Sequence, residues 1–162
     1  MIIDKQAVIE QITAQLEHDR QVALNAVQTA REAATHEESK AENKYDTRGL
    51  EASYLAHGQA RRLEEITQAL ARYRGWAAVA HDPVSGIRTG DLLNLAAANG
   101  QTQWLFLGPN AAGLVLACTF GACTVITLQA PLGQALRGHG EGDVVRLVLG
   151  GQQTLYEIIE AH

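Results

Sequence analysis

Four carboxylates lie close together in the first half of the sequence and are its clearest candidates for chemistry. They are Glu37, Glu38, Glu42 and Asp46. The last three are four residues apart, so on a continuous helix they share one face. Like charges this close repel each other, which costs stability unless a cation or a basic surface offsets them. Two interpretations follow: a site that meets a cation or a basic partner, or a solvated face screened by neighbouring Lys and Arg side chains.

Two long amphipathic segments flank the carboxylates. The first has apolar residues at three- and four-residue steps at Ile9, Ile12, Leu16, Ala23, Ala26, Ala30 and Ala33. The second has the same steps at Tyr45, Gly49, Ala52, Ala56, Gln59, Leu63, Ile66, Leu70 and Tyr73. Side chains shrink along the first series and grow along the second, so an antiparallel arrangement matches small with small and large with large. We therefore predict a coiled-coil hairpin over residues 1–75 with its turn within 36–46.

The residues after Gly75 have a different composition. All three prolines and twelve of the 15 glycines follow Gly75, whereas ten of the 13 Lys and Arg precede it. Short apolar segments separated by turn residues predict strands near 91–97, 103–107, 114–118, 123–128, 143–149 and 154–160. Proline at its first position and Gly138 after its end predict a short helix over 131–136. The predicted class is thus α+β, with an antiparallel sheet and one short helix in a second domain over 76–162.

Overall composition excludes several function classes. The 162 residues carry a net charge of -5, so no general positive field attracts nucleic acid or an anionic membrane, and we expect no direct DNA binding. No apolar run approaches the roughly 20 residues of a membrane span. The first residues lead directly into a charged segment, so we expect no secretory signal and a cytoplasmic location.

A run in the second half resembles the C-terminal domain of the bacterial Gre-type transcript-cleavage factors. Residues 130–143 read APLGQALRGHGEGD and are followed by a strand, a Gly-Gly turn and Tyr156-Glu157-Ile158. The family pattern is a Ser-Pro-apolar helix, Ala-Leu-x-Gly-x-x-x-Gly-Asp, and a strand pair ending in Tyr-x-Ile. Gly90-Asp91 with the following strand, and Phe106-Leu107-Gly108-Pro109, are similar to its opening strands and turn. In the first half, Ala30-Arg31-Glu32 and Glu42-Asn43-Lys44-Tyr45 are similar to the family's hairpin tip.

The resemblance implies an FKBP-like C-terminal domain that docks at the secondary channel of RNA polymerase while the coiled coil enters the channel. It implies docking by five residues of the second half: Pro131, Leu132, Leu136, Gly138 and Asp143. It also implies that Glu42 and Glu38 reach the Mg²⁺ of the polymerase, with Glu37 and Asp46 as flanking negative charge. On this view the protein has no active site or cofactor of its own, and it meets the nascent RNA only indirectly.

The tip departs from the family pattern. The family carries Asp-x-x-Glu-Asn, then two residues and Tyr. Here Glu38 lies four positions before Glu42, and Tyr45 follows Asn43 after a single residue. A factor that enters the channel and regulates transcription without stimulating cleavage is therefore an alternative.

Two further alternatives belong to other classes of protein. One is an FKBP-like prolyl isomerase or chaperone, which needs an aromatic-lined cleft that the few aromatic residues of the second half do not readily provide. The other is a scaffold that dimerises through the coiled coil. Cys118 and Cys123 can face each other across a hairpin, but a reducing cytoplasm favours free thiols over a disulfide.

Overall fold

The computed structural model describes residues 2–40 and 48–162, without the side chains of residues 37–40, 48, 49 and 52. Its elements in chain order are α1 (Lys5–Lys40), α2 (Arg48–Tyr73), β1 (Leu92–Ala97), β2 (Thr102–Leu107), β3 (Val115–Cys118), β4 (Gly121–Ile126), α3 (Pro131–Leu136), β5 (Val144–Leu149) and β6 (Gln152–Ala161). The predicted α+β class is confirmed, and α3 has the predicted bounds.

The chain divides into two compact units. One contains Met1–Ile12 and Arg72–His162, and the other is Thr13–Ala71. The first unit therefore includes the opening turns of α1 as well as the sheet. The domain boundary at residue 75 stays a prediction.

The Thr13–Ala71 unit is an antiparallel pair of helices. Arg20 of α1 donates from Nε to the hydroxyl of Thr67 near the end of α2, at 3.3 Å. Arg31, further along α1, shares a cavity with Ala56 and Ala60, which come earlier in α2. Positions later in α1 thus meet positions earlier in α2, as a hairpin requires.

The buried stripe of α1 differs from its predicted course by one residue. Val27 and Ala34 are buried, whereas Ala26 is partly exposed and Ala33 is exposed. The buried positions 16, 23 and 30 are seven residues apart, and 27 and 34 are as well. This is the strict heptad of a coiled coil, whose period of 3.5 residues keeps one seam against the partner helix. On α2, the predicted positions Ala56, Ile66 and Leu70 are buried.

Gly58 interrupts α2 on its exposed side and leads to a stability prediction. Apart from the helix's own backbone, no described atom lies within 4 Å of the position that a Cβ would occupy there. We expect Gly58→Ala to raise the free energy of unfolding by about 0.5–1 kcal/mol, because alanine loses less backbone entropy on forming a helix. Urea denaturation measures the change. Gly75→Ala is the control with the opposite sign, because Gly75 has φ 71° just after α2, and an unchanged or lower stability of Gly58→Ala would contradict the prediction.

The sheet has the strand order β3-β4-β2-β1-β6-β5. β2 and β4 are parallel, whereas the other neighbours are antiparallel, so the sheet is not antiparallel throughout. The reason lies in burial. Cys123 and Val125 of β4 are fully buried and suit an interior strand, whereas Val115 of β3 is 62% exposed and suits an edge.

Both faces of the central strands are covered. On one face, α3 contributes Leu136 to a core that includes Leu93, Leu105 and Ile158. On the other face, the Trp76 ring lies 5.9 Å from that of Phe106, and Tyr73 packs edge-on against Trp76 at 5.7 Å. These rings serve packing.

Tyr73 makes the stability of this unit sensitive to alkaline pH. Its hydroxyl donates to the carbonyl of Asn110 at 2.6 Å, and burial raises the pKa of Tyr73 well above its ordinary value of 10. The folded state then holds a proton that the unfolded state releases above about pH 10, so stability is present below that pH and falls as pH rises further. We expect Tyr73→Phe to show a shallower loss in the same range. Denaturation of both proteins between about pH 8 and pH 11 measures this difference, and equal slopes would contradict it.

Candidate functional site

The acidic site predicted at the hairpin tip lies mostly outside the described residues. Glu37 and Glu38 belong to the last turn of α1, and their side chains are not described. Glu42 and Asp46 fall outside the described ranges altogether. Within those ranges, no three His, Cys, Asp or Glu side chains are grouped to hold a metal ion. The predicted metal contacts of Glu38 and Glu42 therefore stay predictions.

The predicted docking segment forms α3 and the loop that follows it. Pro131 is the first residue of α3 and is exposed, Leu132 is partly buried, and Leu136 is fully buried in the core. Leu136 thus supports the segment from beneath and presents no surface of its own. Gly138 and Asp143 are both exposed, so a partner can touch them as well as Pro131.

Asp143 shapes the loop that carries Gly138. Its Oδ2 accepts the backbone N–H of Gly140 at 3.0 Å and lies 3.2 Å from Nδ1 of His139. Two hydrogen bonds hold the pKa of Asp143 below its ordinary value. The bond from the Gly140 N–H has the larger effect, and the bond from His139 has the smaller one. The carboxylate therefore stays ionised at neutral pH and closes the loop.

Glycines hold this segment in place by allowing close approach. A Cβ at Gly133 would overlap the carbonyl of Thr127, so only glycine lets α3 lie this close to the end of β4. Gly138 has φ 79° and donates to the carbonyl of Ile87 at 2.9 Å. Gly138, which belongs to the family pattern, thus has an identifiable structural role in this chain.

A buried polar cluster near the start of α1 was not anticipated from the sequence. Asp91 is 2% exposed and accepts from the backbone N–H of Arg88 at 3.0 Å, and its Oδ2 lies 2.8 Å from Nδ1 of His81. Lys5, 8% exposed, donates to the carbonyls of Gly90, at 3.0 Å, and Val79. The cluster ties the first turn of α1 to residues 79–91.

The environment of Lys5 shifts the pKa of its ammonium group. Burial removes water from the ammonium group and lowers the pKa of Lys5, while the nearby charge of Asp91 acts in the opposite direction. A cleft of about 580 Å³ adjoins the cluster, and its walls include Ile3, Pro83 and Ala161. The sequence offered one signal for this cluster, the pair Gly90-Asp91, and that pair was already part of the family resemblance.

The cysteines are free thiols. The register places Cys118 opposite Gly121 and Cys123 opposite Leu116, so the two are not directly paired across the hairpin. Burial raises the pKa of Cys123 to about 12, which keeps this thiol protonated and unreactive.

Among known proteins, the chain is similar to a small number of solved structures. No protein-family model and no curated protein matches the chain. The chain is similar to the crystal structure of GreA factor homolog 1 (Gfh1) of Thermus thermophilus, with 21% identity, TM-score 0.36, and coverage of 93% of this chain and 94% of that one. It is similar to Gfh1 of Thermus aquaticus with 20% identity, TM-score 0.41, and coverage of 92% of each chain.

A third similar structure is the transcription elongation factor GreA/GreB from Nitrosomonas europaea. The identity is 20% and the TM-score 0.37, over 63% of this chain and 90% of that chain. These similar structures are Gre-type factors, as the sequence resemblance predicts. The identities and TM-scores are low, so the function proposed below depends on the chain's own residues.

Among the described residues, no helix is long and apolar enough to cross a bilayer.

Proposed function

We propose that this chain is a Gre-like transcription factor that binds RNA polymerase at its secondary channel and inserts its helical arm. The observation that carries the proposal is that one chain combines an antiparallel two-helix arm with the segment 130–143. Four carboxylates lie in the sequence at and just after the end of α1. A helix of 36 residues is about 54 Å long, enough to reach deep into a protein channel.

The proposed chemistry belongs to the polymerase. Glu42 and Glu38 add negative charge near its Mg²⁺, where a second ion activates water to cut backtracked RNA. The protein supplies carboxylates and positioning, and needs no catalytic site or cofactor of its own. The protein is proposed to meet RNA polymerase in the cytoplasm.

Docking is proposed for the exposed part of the C-terminal segment. Pro131, Gly138 and Asp143 present a surface that the buried Leu136 holds in place. Because Asp143 both closes its loop and stays ionised, we propose it as the main polar contact with polymerase.

Binding of the full chain to core RNA polymerase tests the proposal. We expect a one-to-one complex, and we expect Asp143→Ala to weaken it roughly tenfold, as loss of one charged contact and its loop geometry implies. Asp82→Ala is the matched control, because Asp82 is a partly exposed carboxylate that likewise accepts a backbone N–H of its own loop, from Val84 at 3.0 Å.

Two results would count against the proposal. Absence of any complex at micromolar concentrations would reject polymerase binding. Equal affinities of the wild type and Asp143→Ala would reject the docking assignment alone.

A specific feature supports the non-cleaving alternative. The extra residue between Glu38 and Glu42 rotates a helical side chain by about 100° relative to the family spacing. Mg²⁺ requires near-ideal octahedral geometry, so a displaced carboxylate attracts the ion but coordinates it poorly. A channel-binding regulator that acts without cleavage is therefore the second candidate.

A further inference from the structure

One edge of the sheet is open. β5 is the outermost strand and pairs with β6 alone. Gly150 and Gly151, both with positive φ, form the two-residue turn that connects Leu149 with Gln152. In such a hairpin the residues that flank the turn bond to each other, and along the strand the bonding direction alternates from one residue to the next. Leu149 therefore bonds inward, and the backbone N–H and C=O groups at 144, 146 and 148 point away from β6.

The opposite edge of the sheet is protected. β3 has four residues, and the side chain of Gln11 donates from Nε2 to the carbonyl of Ala117 at 3.0 Å. No described residue hydrogen-bonds to the outward groups of β5. Its six residues read VVRLVL and contain a single charge. Natural edge strands are usually shorter, more highly charged or covered, because an open edge is a template for another strand.

Apolar side chains surround this edge. Val144 is 59% exposed and Val148 58%, and Leu155 on the adjacent β6 is 41% exposed. These three side chains and that of Arg146 lie on one face, since residues two apart in a strand share a face and Arg146 is opposite Leu155. A strand added at this edge would cover both the backbone groups and the valines.

We propose that the strand added here is β5 of a second copy, antiparallel, with Val145 of each copy on the two-fold axis. Charge selects this register. A pairing centred on Arg146 would place two like charges opposite each other, which is destabilising. With Val145 on the axis, Arg146 lies opposite Val144 of the second copy.

The same register brings opposite charges together. Within one copy, Glu157 of β6 is opposite Val144. In the pair, Arg146 therefore faces Val144 of the second copy with Glu157 of that copy directly behind it, two strand spacings or about 10 Å away between Cα atoms. Arg and Glu side chains span that distance, and symmetry makes the contact twice. The two sheets become one continuous sheet, and this assembly is independent of polymerase binding.

Sedimentation equilibrium of the full chain measures the assembly. We expect the mass to rise from that of one chain toward twice that value, with a dissociation constant on the order of 100 μM, as suits a small interface. Arg146→Glu and Glu157→Arg should each weaken dimerisation at least tenfold, and the double variant should restore the wild-type constant to within about threefold. Arg72→Glu makes the same charge change on an exposed residue outside β5 and outside the docking segment, and it should have no effect on dimerisation.

A backbone variant tests the strand pairing separately. Val144→Pro leaves Arg146 and Glu157 in place and removes an outward N–H opposite Arg146 of the second copy, which proline tolerates on an edge strand, and it should abolish the dimer. If it fails to fold, the charge-exchange series decides alone. Two results would overturn the proposal. One is that the protein keeps the mass of a single chain at concentrations up to about 1 mM. The other is that the double variant fails to restore association. A monomer whose polymerase binding is lost in Arg146→Glu would assign the edge to polymerase and also overturn it.

Discussion

Glu42→Gln is expected to slow RNA cleavage in backtracked elongation complexes roughly a hundredfold, provided that the wild-type protein stimulates cleavage. Loss of a carboxylate that helps to hold the second Mg²⁺ removes charge stabilisation worth several kcal/mol, and about 1.4 kcal/mol corresponds to a tenfold change in rate. Glu38→Gln should have a smaller effect, because the extra residue between Glu38 and Glu42 turns Glu38 away from the position of the family's aspartate.

The assay needs a control for charge and a control for binding. Glu10→Gln makes the same isosteric change at an exposed position near the start of α1, distant from the end of the helix at Lys40. Cleavage with this variant should be as fast as with the wild type. Affinity for polymerase should be equal in all variants, because the docking segment is unchanged. Equal cleavage by wild type and Glu42→Gln would refute the assignment of Glu42. If the wild type alters pausing or initiation without cleaving, the non-cleaving alternative takes its place.

Gly86→Ala is expected to lower the free energy of unfolding by about 3 kcal/mol or more. Gly86 has φ 74°, a conformation that costs other residues about 1 kcal/mol or more. A Cβ there would also overlap the carbonyl oxygen of Gly138, and a backbone atom cannot move aside as a side chain does. Ile87 makes two backbone hydrogen bonds across the same contact. It donates its N–H to the carbonyl of His139, and its carbonyl accepts from the N–H of Gly138.

Gly140→Ala is the matched control for this prediction. Gly140 lies in the loop between α3 and β5 that Gly86 contacts, and it has no positive φ. No described atom lies within 4 Å of the position that a Cβ would occupy there. Its substitution should change stability by less than about 0.5 kcal/mol. Urea denaturation of the three proteins provides the comparison. A Gly86→Ala protein as stable as Gly140→Ala would show that the loop moves aside without cost.

Much of the local structure follows from short-range patterns. Strand periodicity placed all six strands within two residues of their observed ends, and Pro131 with Gly138 defined α3. The small-to-large order of α2 likewise predicted Ala56, Ile66 and Leu70 as buried. These features depend on interactions among residues close in sequence, so composition and spacing contain the information.

The order of the strands depended on packing that the sequence does not express locally. A simple succession of hairpins would have kept β3 between β2 and β4, but β4 lies beside β2 in parallel. Burying Cys123 and Val125 favours β4 in the interior, and the connection between β2 and β3 is long enough to allow the crossing. Only the burial of whole sheet faces decides between the two orders.

The seam of α1 shows the same limit on a finer scale. Ala26 and Ala33 fit a three- and four-residue pattern as well as Val27 and Ala34 do, because neighbouring apolar residues are present at both. Arg20 lies seven residues before Val27 in the observed heptad, and its hydrogen bond to Thr67 makes a polar residue acceptable in the seam.

Local patterns in the sequence were enough to predict the α+β class, the two long helices, and the acidic and C-terminal segments on which the proposed function depends. The position of the Lys5 cluster depends on the packed fold, since Lys5, His81 and Asp91 are brought together from distant parts of the chain. The packed fold also decided that β5, rather than β3, has an open edge. The physical reason is the same in both cases: burial and hydrogen bonding between residues distant in sequence are properties of the packed chain, and no local spacing encodes them.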